Sequence, residues 1–210
     1  MTRAAWYFDF ISPFAYLQLG RFQDVPRDIE IVFKPVVFSG LLNHWGQKGP
    51  AEIPPKRRFV YRFFKWQANQ RGMAFTMPPV HPFNPLPPLR LALVAGSTFE
   101  VVQRIFHFIY GEGQNLDDEA SITALGALLG VPEAYSRISE ASVKVQLKSN
   151  TDEAIAAGVF GVPTFVVNGN LFWGDDATNM FLNYLRNPTL FDDSEMLRIS
   201  SLPMGVARRP

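Results

Sequence analysis

The 210 residues carry 20 lysines and arginines against 19 aspartates and glutamates, a net charge of +1. That balance supplies neither the basic field that attracts nucleic acid nor an acidic face, so the expected partners are small molecules or proteins. Cysteine is absent, which excludes disulfides, thiolate metal sites and a redox cycle of the protein's own, so any thiol chemistry must be borrowed.

With 47% hydrophobic residues, a chain of this length can bury a full core without staples. MTRAAWYFDF shows no apolar segment ahead of a small-residue cleavage site, and no uninterrupted apolar run of about 18 residues occurs anywhere. The expectation is a protein kept in the cytoplasm, with no membrane partner. The Asn187-Pro188-Thr189 match to a glycosylation motif is blocked by its proline.

In chain order, Ala4 to Phe10 reads as a buried strand, and Ser12-Pro13 reads as the N-cap and first-turn proline of a helix carrying Phe14, Leu17 and Phe22. Glu30 to Val37 is a second strand, parallel to the first through the helical crossover. Ser39 to Pro55 is dense in Gly and Pro and predicts a loop with at most one helical turn. A basic, aromatic helix follows at Lys56 to Arg71, its Phe59, Phe63 and Trp66 stripe most simply core packing. The six prolines of MPPVHPFNPLPPLR then enforce an extended path into a helix at Leu86 to Ala95. Further helices are predicted at Phe99–Tyr110, Asp117–Leu129, Pro132–Glu140 and Val143–Ala157. Thr164–Val167 and Leu171–Trp173, separated by Asn168-Gly169-Asn170, form a hairpin. Asp175 or Asp176 then caps a final helix bearing Met180, Phe181, Tyr184 and Leu185. The last ten or so residues are expected to be loosely ordered.

The predicted class is α/β: a thioredoxin-like sheet with helices and an all-helical insertion. Residues 1–38 and 151–190 would make a discontinuous thioredoxin-like domain, 39–150 the helical insertion and 191–210 a tail.

FDFISPFAYL and GVFGVPTFVVNGNLFWGDD resemble the DsbA-like thioredoxin branch that includes kappa-class glutathione transferases and 2-hydroxychromene-2-carboxylate isomerases. KPVVFSGLLNHWGQKGP, KRRFVYRFFKWQANQRG and HPFNPLPPLR resemble the isomerase group, and the likeness covers roughly residues 5 to 186. In that branch the helix-starting position holds a cysteine in redox members and a serine in glutathione-using members. Ser12 stands there, with Ala15 where a second redox cysteine would be. Many relatives continue the second motif with an arginine where this chain has Ala177, so that arginine's contribution must come from elsewhere or be lost.

The resemblance implies glutathione as cofactor, bound by Ser12, the Val162-Pro163 cis-proline corner, Trp173, Gly174, Asp175 and Asp176, with the acidic pair receiving the γ-glutamyl ammonium. A helix N-terminus and a hydroxyl together stabilise a thiolate. A shift of about two pKa units, roughly 2.7 kcal/mol, would leave the thiol mostly ionised at neutral pH. The implied reaction interconverts 2-hydroxychromene-2-carboxylate and its open benzylidenepyruvate form: thiolate addition to the conjugated carbon permits rotation, and elimination follows. Asn43, Lys56, Arg57 and Asn84 are the expected polar contacts for an aromatic oxo-acid substrate, with Phe83 and Trp45 against its ring. The resemblance also implies a homodimer in a bacterial cytoplasm.

Plainer readings stand beside these. Ser12, Asp175 and Asp176 are ordinary capping residues, Lys56 to Arg58 an ordinary solvated run, and His44, His81 and His107 lack metal-ligand spacing. A conjugate-forming kappa-like transferase and a silent DsbA-like binding module are the alternatives.

Overall fold

The computed structural model describes residues 2–116 and 118–206. Strand β1 (Thr2–Phe8) runs centrally, parallel to β2 (Ile29–Pro35) through helix α1 (Pro13–Leu19). On its other side β1 pairs antiparallel with β3 (Thr164–Val167), which is antiparallel to β4 (Asn170–Trp173), giving the order β2-β1-β3-β4. This is the expected thioredoxin-like sheet. The β3–β4 turn works because Asn168 (φ 49°) and Gly169 (φ 77°) both take left-handed backbone, as a two-residue hairpin of primed type requires.

β1 stops two residues short of the sequence expectation because Asp9 turns the chain. Its Oδ1 accepts the Ile11 N–H (3.0 Å) and its Oδ2 the Phe38 N–H (2.8 Å). Residues 38–45 correct the loop expectation: Phe38–Trp45 is helix α2, closed by Gly46 in left-handed backbone (φ 62°). Phe38, Leu41, Leu42 and Trp45 carry helical spacing there, and burial of Leu41 and Leu42 outweighs the flanking Gly and Pro. A short 3-10 turn, Pro50–Glu52, leads into α3 (Pro54–Gln70).

The helical run continues with α4 (Leu86–Val94), α5 (Phe99–Phe106), α6 (Glu119–Leu128), α7 (Ala134–Arg137) and α8 (Ala141–Ala156). The expected start of α6, Asp117, lies outside the described residues; Asp118 caps the helix by accepting the Ser121 N–H at 2.7 Å. α7 is a four-residue remnant of the predicted helix because Glu133 sits at φ 52°, which breaks its first turn. After α5 a π-turn, His107–Gly111, widens the helix, and there Tyr110 donates to Phe10 O at 2.9 Å. Helix α9 (Thr178–Arg186) follows β4. The sequence placed no helix in the tail, but Ser194–Ser200 forms α10, with Asp193 accepting the Glu195 and Met196 N–H groups. Residues 202–206 belong to no regular element and 207–210 lie outside the described residues.

One aromatic core joins sheet and helices. Trp6 stacks on Phe8 at 4.6 Å, Phe10 meets Phe106 at 4.5 Å, and Phe165 stacks on Phe181 at 4.1 Å. Each fully buried phenylalanine contributes about 1.5–3 kcal/mol of burial free energy. The Phe59, Phe63 and Trp66 stripe departs from the core expectation. Phe59 and Trp66 are 66% and 55% exposed, because Val60, Phe64 and Ala68 are the face that α3 buries.

Gln18 is the polar hub of this core. Its Oε1 accepts the Trp6 indole N–H at 2.6 Å, and its Nε2 donates to Gly174 O (2.9 Å) and Thr178 Oγ1 (3.0 Å). Gln18→Met keeps the volume but orphans the indole N–H and the Gly174 carbonyl, at about 1–3 kcal/mol each. Urea denaturation should show a loss of about 2–4 kcal/mol; an unchanged midpoint would contradict the hub.

Candidate active site

Ser12 caps α1 and is nearly buried. Its Oγ accepts the Ala15 N–H and donates to Val162 O, both at 3.4 Å. These bonds are at the long limit and therefore weak, so the hydroxyl hydrogen can be redirected to a better acceptor. α1 has only seven residues and Pro13 has no N–H, so its end holds fewer aligned donors than the sequence reading assumed. The Phe14 and Val162 N–H groups have no acceptor among the described residues. The Val162–Pro163 bond is cis, and Gly174 N donates to Pro163 O at 2.8 Å.

Two cavities meet at Phe14, Phe38, Val60 and Val162. The first, of about 370 Å³, is walled by Phe14, Phe64, Phe83 and prolines, with Asp9, Ser12, Glu52, Tyr61 and His81 as polar members; among the described residues, no lysine or arginine lines it. The second, of about 610 Å³, is a polar groove that includes Lys48, Lys56, Trp173 and Asp176. Both fall within the size range of small-molecule sites.

The backbone shapes the groove. A side chain at Gly161 would meet the Trp173 indole nitrogen at 2.4 Å, so glycine lets that ring stand against the loop as a wall. Gly174 sits at φ 91°, where a Cβ would also lie 2.5 Å from Asp176 Oδ1.

Asp175 and Asp176 do different work. Asp175 is buried, and Arg71 grips its carboxylate at 2.8 and 2.6 Å while also donating to Leu17 O. It is thus engaged internally, which corrects the expectation that it receives an ammonium group. Neither carboxylate caps α9: the N-cap is Ala177, and Thr178 donates its hydroxyl to the Asp175 carbonyl. Asp176 is exposed on the groove and, like Lys48 and Lys56, joins no ion pair among the described residues.

Of the expected substrate contacts, Phe83 lines the apolar cavity and Lys56 the groove, whereas Asn43, Arg57 and Asn84 line neither. Asn43 and Arg57 are exposed on their helices, and the Asn84 Oδ1 accepts the Leu86 N–H at the start of α4. Trp45 also lies outside both cavities and donates to Val159 O at 2.9 Å.

Asp9, Tyr61, Arg71 and His81 were missed as site residues. All four lie in stretches quoted above, Asp9 in FDFISPFAYL, Tyr61 and Arg71 in KRRFVYRFFKWQANQRG and His81 in HPFNPLPPLR, but nothing in those stretches shows the partners that packing brings to them. Desolvation pushes the Asp9 carboxyl up to about 7, against the lowering effect of its two N–H donors. The unfolded group ionises near about 3.9. Between those values only the folded state keeps the proton, so this stabilisation is complete below about pH 4 and is lost as pH rises through about 7. Thermal melts should show the wild type losing several degrees between pH 5 and 8 and Asp9→Asn losing less; equal slopes would contradict the assignment.

Among the described residues, no helix is long and apolar enough to cross a membrane. The family model for the DSBA-like thioredoxin domain matches residues 5–186. The chain is 27% identical to a glutathione S-transferase kappa 2 of Caenorhabditis elegans, over 75% of this chain and 77% of that protein. It is also 27% identical to a 2-hydroxychromene-2-carboxylate isomerase of Sphingobium xenophagum, over 86% and 96%. In fold, it resembles a solved 2-hydroxychromene-2-carboxylate isomerase with TM-score 0.81 at 22% identity, over 89% of this chain and 95% of that one.

Proposed function

This chain belongs to the DSBA-like thioredoxin domain family, and from that premise we propose that it is a glutathione-dependent isomerase of the 2-hydroxychromene-2-carboxylate type. The observation that carries the reading is the charge set of the groove. Among the described residues, Lys48 and Lys56 are cations without ion-pair partners and Asp176 is an anion without one, and all three line the groove that Val162 also lines. Glutathione has two carboxylates and one ammonium group, so the residues present fit it. The isomerase and kappa-transferase relatives support the same cofactor class.

In this reading Val162 offers its N–H to the cysteinyl backbone, Asp176 receives the ammonium, and the two lysines hold carboxylates. When bound, glutathione supplies a thiolate that adds reversibly to a conjugated carbon, so that a double bond becomes free to rotate. Ser12 turns its hydroxyl from Val162 O toward the sulfur, and the Phe14 N–H adds a second donor. The apolar cavity excludes water and takes the substrate's ring against Phe83. Because no lysine or arginine among the described residues lines that cavity, the substrate's carboxylate points toward the lysine-bearing groove.

Asp175 stays with Arg71. That pair also gives the loop before α9 a guanidinium in a chain that has Ala177 after its acidic residues. The protein would function as a soluble cytoplasmic homodimer in aromatic-compound breakdown.

Calorimetric titration with glutathione should show saturable binding at micromolar to low-millimolar concentration, weakened several-fold by Asp176→Ala or Lys56→Ala. Ser12→Ala should lower turnover by about 10²–10³ with a smaller effect on affinity. The product should have unchanged mass; an adduct heavier by one glutathione would favour the transferase. Absence of binding at about 10 mM, about −2.7 kcal/mol, would remove both and leave the silent module.

A further inference from the structure

We infer that Tyr61 and His81 form a proton relay that receives a hydroxyl group of the substrate in the apolar cavity, with Tyr61 meeting that hydroxyl and His81 as the positioning partner that holds the displaced proton. The inference rests on the isomerase reading for the reaction it serves, but not for the hydroxyl site itself. Tyr61 lies on α3 and His81 in the proline-rich segment before α4, and both line the cavity with Ser12.

Three short contacts define the arrangement. His81 Nε2 is 2.8 Å from Ile11 O, Tyr61 Oη is 2.7 Å from His81 Nδ1, and the same Oη is 2.8 Å from His81 O. The Ile11 carbonyl can only accept, so Nε2 carries a hydrogen. A neutral imidazole then leaves Nδ1 as acceptor, and the single Tyr61 hydrogen goes to it. The oxygen lone pairs of Tyr61 remain to accept from a ligand, and His81 O stands by without a hydrogen. Burial pushes the His81 pKa down, which favours this neutral resting state.

The contacts also fit the charged state. With both ring nitrogens protonated, Nε2–H keeps Ile11 O, Nδ1–H donates to Tyr61 Oη, and the Tyr61 hydrogen can pass to His81 O. Both ring nitrogens and the Tyr61 oxygen thus keep a partner before and after one proton is added, and His81 O gains one in the charged state. That two-state fit is more than fastening a loop to α3 requires. It also ties the relay to the peptide carbonyl directly preceding Ser12.

As the hydroxyl of a cyclic hemiketal gives its hydrogen to Tyr61 Oη, the original Tyr61 hydrogen moves to His81 Nδ1. The former hydroxyl oxygen becomes a carbonyl while the ring C–O bond breaks, its electron pair going to the phenol oxygen. That oxygen takes back a proton from Tyr61 as His81 Nδ1 returns one to Tyr61. No charge is gained or lost and no oxidant is needed. Ring opening and closing are thereby assigned to groups other than those that bind glutathione.

The test uses 2-naphthol and its methyl ether as probes, alongside turnover of 2-hydroxychromene-2-carboxylate with glutathione. Wild-type protein should bind 2-naphthol at least about tenfold more tightly than the ether, and Tyr61→Phe should erase that preference. Tyr61→Phe and His81→Gln should each lower kcat by about 10²–10⁴ while leaving glutathione affinity, and in His81→Gln also KM, within about threefold. Nitrogen-15 NMR of the wild type should find His81 with hydrogen on Nε2 and none on Nδ1 at pH 7.5, a readout that holds whether or not a variant folds. Equal binding of the two probes, a preference that survives in Tyr61→Phe, unchanged kcat in the variants, or a hydrogen on Nδ1 would overturn the relay. A Tyr61-dependent preference for 2-naphthol in a protein that binds glutathione but does not turn over the chromene would retain the hydroxyl site and reject the isomerase reading.

Discussion

The antiparallel pairing of β3 with β1, Tyr7 opposite Thr164 and Trp6 opposite Phe165, is the constraint on which the site depends. It brings Val162 to Ser12 across 150 positions of sequence and places the Trp173–Asp176 segment beside α1. The cost of closing so long a loop grows only slowly with its length. The intervening chain can therefore be an elaborate helical segment without weakening the junction. That segment supplies α2 and α3, which wall both cavities, and the proline-rich stretch, which walls the apolar one.

Polar groups in the interior hold this junction in register. Gln18 ties β1 to the loop before α9, Asp9 ties the end of β1 to the start of α2, and Arg71 ties α3 to Asp175. Each tie is compensated at several atoms, as burial demands. An apolar core of this size would fold without them, but it would not hold a donor beside Ser12 or leave Asp176 to face the groove. The pairing of Arg71 with Asp175 is instructive. One carboxylate is engaged internally by Arg71, and its sequence neighbour stands exposed on the groove.

The legible parts of the sequence were those with local causes. Ser12-Pro13 marked the start of α1 because cap and first-turn proline act within one turn. Thr164–Val167 was placed to the residue because Asn168-Gly169 is a turn signal with a definite backbone requirement. The fold class followed from the strand–helix–strand opening and the late hairpin. α2 was missed because Gly and Pro density masked a four-residue apolar stripe. In the site, Ser12 and Val162 come together, whereas Asp175 is held by Arg71 and Asp176 is exposed on the groove. The Tyr61–His81 pair spans 20 residues and the Arg71–Asp175 pair 104. No periodicity or local motif encodes contacts made only after the helices pack.

The absence of cysteine frames the central claim: a serine at the thiol position serves a sulfur that the protein does not own. The most direct measurement is the ionisation of the glutathione thiol in complex with the protein, followed by thiolate absorbance in the ultraviolet across pH. A thiol pKa lowered by about two units from the ordinary range of about 8.5–9, with much of that shift lost in Ser12→Ala, is the predicted result. A bound thiol that titrates like the free one in both proteins would contradict it.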